Sequence, residues 1–357
     1  MWSGLVGYRD RGTVENSNAR GKVKGTDDVG GLVGYNDLGI VSKCYAEGDV
    51  DGVQNVGGLV GRTFLGTLGN SNARGKVTGT DKVGGLVGDN DRGTVNNCYA
   101  EGDVDGDQNV GGLVGRVYLG TVENSNATGT VTGTGNTVGG LVGYNRQGTV
   151  TNSFATGTLT GTDFVGGLVG YDFKGTVSNS FATGTLTGTY YVGGLVGINY
   201  HGTVSNCYAE GDVDGDQSVG GLVGRNTEGE VNNCYATGTV TGTGYIGGLV
   251  GNDYFGTVSN SFWNTETSQQ GSSQGGTGKS TAEMKNIATF NDPDATEGLD
   301  TAWPIVDGWT DFNPPDYIWG ICRDVSYPFL LWLTDKNPCT EKATILPGVL
   351  MLLLDDE

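Results

Sequence analysis

The sequence predicts an all-β fold, a parallel β-solenoid of about ten coils with three short strands per coil of ~27 residues, closed by a small C-terminal capping region. Three observations carry this expectation. A Gly-Leu-Val-Gly tetrapeptide recurs with its leucine at Leu5, Leu32, Leu59, Leu86, Leu113, Leu141, Leu168, Leu195, Leu222 and Leu249, every 27 residues except for 28 between Leu113 and Leu141. Apolar residues hold fixed columns within each unit. The intervening residues are β-branched or turn-forming, with no stretch before Ser280 patterned for a helix.

Counting from the leucine as position 0, each unit divides into three runs. The first is VGGLVGYN, as at Val29 to Asn36; the second GTVSNSFA, as at Gly175 to Ala182; the third TGTLTGT, as at Thr183 to Thr189. Each reads as a strand followed by a turn. Coils ~4.8 Å apart would make a rod of roughly 48 Å. Position +9 is Val in nine units and Leu68 in the other, +14 is Ala until Trp263, +18 is Val or Leu, and +24 is Val or Ile. With the leucine these columns form the expected interior, each buried side chain contributing ~1.5–3 kcal/mol before entropy is subtracted. Position +11 is Asn in nine units, with Lys43 the exception. A stacked Asn column predicts amide-to-amide hydrogen bonds at a corner.

The repeated GGLVG followed by GTVxNSxATGTVTGT resembles the GLUG-motif repeat proteins, named for Gly-Leu-hydrophobic-Gly, over residues 1–263. The C-terminal portion is similar to the end piece such proteins carry: AEMKNIATF at Ala282 to Phe290, then YIWGIC and YPFLLW, the last ending at Trp332. The resemblance implies a surface or secreted protein of bacteria or archaea, adhesins among them, and carries over no catalytic residue. Three regions are expected: the solenoid at 1–263, a Gly/Ser/Gln-rich flexible linker at 264–281, and a cap at 282–357. Ser280 and Glu283 fit a capping box that opens one short helix. Trp303, Trp309, Trp319 and Trp332 are expected to cluster over the last coil and block its open strand edge. Trp2-Ser3-Gly4-Leu5 opens mid-motif without a signal peptide, which suggests a fragment of a longer protein or another element over that end. The apolar tail from Ile345 to Leu354, interrupted by Pro347 and Gly348, is expected to pack and not to anchor.

Composition narrows the functional classes. The 68 Gly without a period of three, beside 7 Pro, exclude collagen. A net charge of −20 argues against nucleic acid and anionic membranes as partners. No run of ~20 apolar residues exists, so no membrane insertion is expected. Together these suit a secreted or cell-surface protein.

Candidate sites emerge from the columns. Cys44, Cys98, Cys207 and Cys234 stand at +12, where other units have Ser, and read as interior filling. Only Cys207 and Cys234 are in adjacent coils, and Cys322 could pair with Cys339. On the third run, rows Arg20-Lys22-Lys24, Glu47-Asp49-Asp51, Arg74-Lys76-Thr78 and Glu101-Asp103-Asp105 would stack with alternating sign and fix the register. The same positions then become Thr128-Thr130-Thr132, Thr156-Thr158-Thr160 and Thr183-Thr185-Thr187. That grid resembles the ice-binding faces of solenoid antifreeze proteins, although Thr also simply favours exposed strands. The acidic row Glu210-Asp212-Asp214, with Asp216, lacks the spacing of a Ca²⁺ loop, and no metal or cofactor is expected. His201 is the single His, so catalysis is not expected. Aromatic residues in the corner after each GLVG, chiefly Tyr144, Tyr171, Phe173, Tyr200 and Tyr254, are candidates for stacking on an extracellular polysaccharide or a surface protein. Another aromatic column, at +13, includes Phe154, Phe181, Tyr208, Tyr235 and Phe262 and would stack on itself or on a ligand. The expected function is that of a non-catalytic, adhesin-like stalk or interaction surface, with ice binding as the alternative.

Overall fold

The structure, a computed structural model, describes residues 6–308, 317–333 and 339. Trp2, Trp309 and the apolar tail at 345–354 lie outside the described residues. Up to Asn264 the chain is a stack of coils joined by parallel strands. The coil that begins at Leu86 illustrates the plan, with strands Val87–Asp91, Thr94–Asn96, Tyr99–Ala100, Val104–Gly106 and Gln108–Gly111. They sit in register on the next coil: Val87 on Val114, Val95 on Val122, Ala100 on Ala127, Val104 on Val131 and Val110 on Val138. The β-solenoid is as expected, but a coil carries five short strands instead of three. These form four sheets of 18, 11, 9 and 9 strands, and the first two strands of each coil share the largest. The one extra residue of the 28-residue interval falls at the exposed Asn136, and register resumes with Val138 on Val165.

The additional breaks come from left-handed residues at +6, +11 and +23, as at Arg92 (φ 55°), Asn97 (φ 53°) and Asn109 (φ 52°). One residue in that region turns the chain without a loop, and Asn tolerates it better than most. This explains the Asn column at +11. The expected amide ladder is present there only in part: Asn233 Nδ2 donates to Asn206 Oδ1 at 3.3 Å, whereas Asn70, Asn97 and Asn124 face solvent. The buried ladder stands at +4. Asn36, Asn90, Asn145, Asn199 and Asn226 are fully buried, and each donates its Nδ2 to the carbonyl of the Gly at +7, at 3.1–3.2 Å. Links run from coil to coil as well, from Asn145 to Asp172 Oδ1 at 2.6 Å and from Asn199 to Asn226 Oδ1 at 2.9 Å.

The interior is two cores instead of one. The larger collects the leucines with the columns at +1, +9, +12 and +14; the smaller holds only +18 and +24. Between them the Gly-Gly pair turns the chain with backbone against backbone. A Cβ on Gly111 would lie 2.0 Å from the Val114 carbonyl oxygen, and one on Gly112 would lie 2.1 Å from that of Gly140. No side chain fits there, which is why the motif keeps both glycines. At +12, Ser and Cys exchange because both donate to the same carbonyl: Ser71 Oγ to Gly69 O at 2.8 Å, Cys207 Sγ to Ser205 O at 3.1 Å. Cys207 and Cys234 are free and buried, while Cys322 is bonded to Cys339.

Residues 264–281 are not a free linker. They fold over the last coil and supply its missing neighbour. Gly248 N–H donates to Ser272 O at 3.0 Å, Gln274 N–H donates to Val250 O at 3.1 Å, and strand Thr277–Lys279 pairs with Phe262–Asn264. Trp263, in the place of an alanine, plugs the larger core with its Nε1 on Gln270 O at 3.1 Å. The capping box forms as expected, with Ser280 N–H on Glu283 Oε2 at 2.8 Å, and opens helix Thr281–Met284. The aromatic unit beyond it meets the last coil at its side, where Trp303 Nε1 donates to Asn260 O at 2.8 Å and Phe290 packs on Phe262. It packs on the flank, against the +13 column.

Candidate functional site

That column explains the docking. Phe154, Phe181, Tyr208 and Tyr235 stack along the rod with centroids 4.9, 4.8 and 5.1 Å apart and planes within 10°. In the five earlier coils +13 alternates Asn and Tyr, so an unbroken aromatic run marks the seat. Phe181, Tyr208, Tyr235 and Phe262 share one core with Phe290, Trp303, Trp319 and Leu330. Tyr235 OH donates to Pro328 O at 2.7 Å and Trp332 Nε1 to Asn179 O at 3.0 Å. These aromatics are mostly consumed by the fold.

A second set of side chains is left for other work. The Gly-Gly turn sets +23 of one coil beside +3 of the next, so that +3, +5 and +23 form a seam along the rod. In the earlier coils this seam mixes ion pairs with the rings of Tyr8 and Tyr35 at +3 and of Phe64 and Tyr118 at +5. Asp89, 1% exposed, accepts from Arg116 Nε and Nη2 at 2.8 Å each, and Arg62 Nη2 reaches Asp91 Oδ2 at 3.2 Å. Burial raises the Asp89 carboxyl pKa, and hydrogen bonds and charge from Arg116 pull it back.

From the sixth coil the seam carries a larger aromatic cluster. Tyr144 stacks on Tyr171 at 5.2 Å and Phe173 on Tyr200 at 5.5 Å, while Tyr171 meets Phe173 edge-on at 6.3 Å. Four of the five expected residues thus form one cluster. Tyr254 stands apart, packed on Phe255 at 4.5 Å and linked through Arg225, whose Cζ lies 5.6 Å from the Tyr191 ring and 5.8 Å from that of Tyr254. Phe164 and Tyr191 belong to the cluster although sequence reasoning missed them: Phe164 lies 5.6 Å from Tyr171 and 5.5 Å from Tyr191. The available signal was the +23 column, which reads Asp28, Asn55, Lys82, Asn109 and Thr137 before Phe164 and Tyr191. Both rings occupy left-handed backbone, φ 49° and 54°, a costly place for a bulky residue.

Stacked rings cover one another's faces and present edges and hydroxyls. Desolvation raises the Tyr144 phenol pKa and pushes that of Tyr171 up to about 12, so both remain neutral donors. More open rings flank the cluster: Tyr190 is 45% exposed, Tyr245 60%, Tyr254 50% and Phe255 78%.

The third-run face is built as expected. Arg20 pairs with Glu47 at 3.2 Å, Lys22 with Asp49 at 2.6 Å, Lys24 with Asp51 at 2.7 Å and Arg74 with Glu101 at 3.0 Å. The Thr grid continues in register, Thr132 on Thr160 on Thr187, bounded by Asp105 and Asp214. In the later acidic row Asp212 accepts the Thr239 N–H at 2.8 Å and Asp214 the Thr241 hydroxyl at 2.6 Å, while Glu210 Oε1 lies 3.2 Å from the Tyr235 hydroxyl oxygen. Among the described residues no group of three or more His, Cys, Asp or Glu could hold a metal ion, and no helix is long and apolar enough to cross a membrane.

Fold and seam together define a repeat solenoid that displays graded rows of side chains along a rod. The family model of the GLUG motif matches residues 25–51, 82–105, 106–132, 134–160, 188–214 and 215–241, so these six stretches are GLUG-motif repeats. No curated protein and no solved structure matches the chain.

Proposed function

We propose that this chain is a non-catalytic, secreted or cell-surface repeat protein, an adhesin-like stalk that binds a polysaccharide or surface protein along its seam. The observation that carries the reading is the continuous aromatic cluster from Tyr144 to Tyr200, set where the earlier coils mix ion pairs with smaller ring contacts such as Tyr8 on Tyr35. Packing does not require it, because the earlier coils stack equally well with Asn, Asp and Lys at +23. The test is binding of the full chain to a panel of glycans and surface proteins. Tyr171→Ala with Tyr200→Ala should weaken binding and Thr158→Tyr should leave it intact; the opposite pattern would refute the assignment.

The in-register Thr132, Thr160 and Thr187, the first partly exposed and the other two exposed, favour a second reading, ice binding. An ice plane needs an unbroken flat array, and the Asp105 and Asp214 rows confine this one to three coils. Negligible thermal hysteresis is therefore expected. Hysteresis abolished by Thr158→Tyr would promote this reading over the first.

A further inference from the structure

In the charged rows of the third run the cations are paired: Arg20, Lys22, Lys24, Arg74 and Lys76 all have carboxylate partners within 3.2 Å. The seam departs from this from the sixth coil onward. Arg146, Lys174 and Arg225 have no carboxylate within ion-pair distance among the described residues, in a chain of net charge −20. Each lies over aromatic rings instead. Arg146 Cζ is 5.3 Å from the Tyr118 centroid and 5.9 Å from that of Phe173; Lys174 Nζ is 5.5 Å from Phe173; Arg225 lies between Tyr191 and Tyr254. Arg146 and Lys174 are exposed and Arg225 is partly so.

A guanidinium over a ring keeps N–H donors for a planar or tetrahedral anion, and the ring orients them; Arg225 Nε donates to Thr227 Oγ1 at 3.0 Å, which leaves its two Nη groups for the anion. The rings beside it present hydroxyls and apolar edges, which suit the faces and hydroxyls of a sugar. Three such cations across four coils span ~14 Å of rod, so a ligand that meets all of them must be extended. The net charge does not prevent this. At physiological ionic strength the Debye length is ~8 Å, so a ligand on the seam responds to the charges beside it. In the +3, +5, +6, +22 and +23 rows of the sixth to ninth coils the carboxylates are Asp163 and Glu228, the latter 3.5 Å from His201 Nδ1, against the three cations Arg146, Lys174 and Arg225.

We infer that the seam from Arg146 to Arg225 binds an anionic polysaccharide, with the stacked cations holding its carboxylates or sulfates and the aromatic rings its sugar faces. This rests on the interaction-surface reading above and narrows its ligand. The probes are immobilised alginate as a polyuronate, dextran sulfate, and neutral dextran, with the full chain titrated over each at ~0.15 M salt. Binding to the polyuronate, the sulfated glucan or both is expected, with little to dextran, and which of the two binds identifies the acid. The triple variant Arg146→Gln, Lys174→Gln, Arg225→Gln should lose roughly tenfold or more in affinity. Arg146→Lys with Arg225→Lys should retain part of it, and an unchanged melting temperature would show that the fold is intact. Equal binding to dextran, or undiminished binding by the triple variant, would overturn the inference. So would a partner that is only protein; the broader reading would then stand if Tyr171→Ala with Tyr200→Ala weakened that binding, and would fall with the inference if it did not.

Discussion

The sharpest test of the packing concerns Asp172, in the buried polar column. Its carboxyl is 0% exposed, and Asn145 Nδ2 donates to Oδ1 at 2.6 Å. The Gly175 N–H is its other donor, while Oδ2 has no partner and faces the next coil, where Asn199 Oδ1 is also unpaired. The titratable groups around it are the phenols of Tyr144 and Tyr171, both held neutral, and no cation faces it. Burial therefore pushes its pKa up to about 7, and the two hydrogen bonds offset only part of that. In the unfolded chain the value is ~3.9. The folded value is the higher, so the stabilising proton is fully bound below pH ~4, and its contribution is lost as pH rises through ~7. Three units correspond to about 4 kcal/mol by pH 8. Asp172→Asn removes the charge, keeps the acceptor for Asn145 and adds a donor for Asn199 Oδ1, the arrangement already present between Asn199 and Asn226. The variant should match wild type within ~1 kcal/mol at pH 4 and exceed it by about 4 kcal/mol at pH 8, measured by urea unfolding. A difference that stays flat between those pH values would refute the burial argument.

Gly112→Ala should abolish folding or cost several kcal/mol by thermal denaturation, since its Cβ would meet Gly140 O at 2.1 Å and Ala127 Cβ at 3.0 Å. Lys76→Glu should lower the denaturation midpoint in low salt and much less in ~1 M salt, because Lys76 pairs with Asp105 at 2.5 Å on an exposed face; equal shifts in both would contradict the stacked charge rows. Cys207→Ser should change stability by less than ~1 kcal/mol, the hydroxyl replacing the thiol on Ser205 O as it does in other coils. Trp332→Ala should expose the C-terminal unit to limited proteolysis while the solenoid stays resistant, since it removes the bond to Asn179 O and part of the flank contact.

The sequence by itself determined the coil, because a strict period is a statement about stacking. With Leu, Val and Ala in constant columns, only in-register addition of each unit to the next buries them all, and alternating charges on Arg20, Glu47, Arg74 and Glu101 penalise a one-coil slip. The capping box and the Ser/Cys exchange were legible for the same reason, being local or repeated. The route of the chain within a coil was decided in three dimensions. Nothing in a residue list says that Arg92, Leu119 or Lys174 will adopt positive φ; the neighbouring coils impose it by holding both flanking strands. Those left-handed corners make five strands from three runs, and the Gly-Gly turn splits the interior in two. They also exchange two roles, placing the conspicuous Asn column at +11 on a corner and burying the irregular +4 column as the ladder. The seam is tertiary in the same sense, since Phe164 and Tyr171 come from different runs and meet only because backbone packs on backbone between them. The cap shows it once more. Gln and Ser from 264–281 read as a flexible linker in isolation, yet the unpaired edge of the last coil offers backbone groups that need partners, and this segment supplies them.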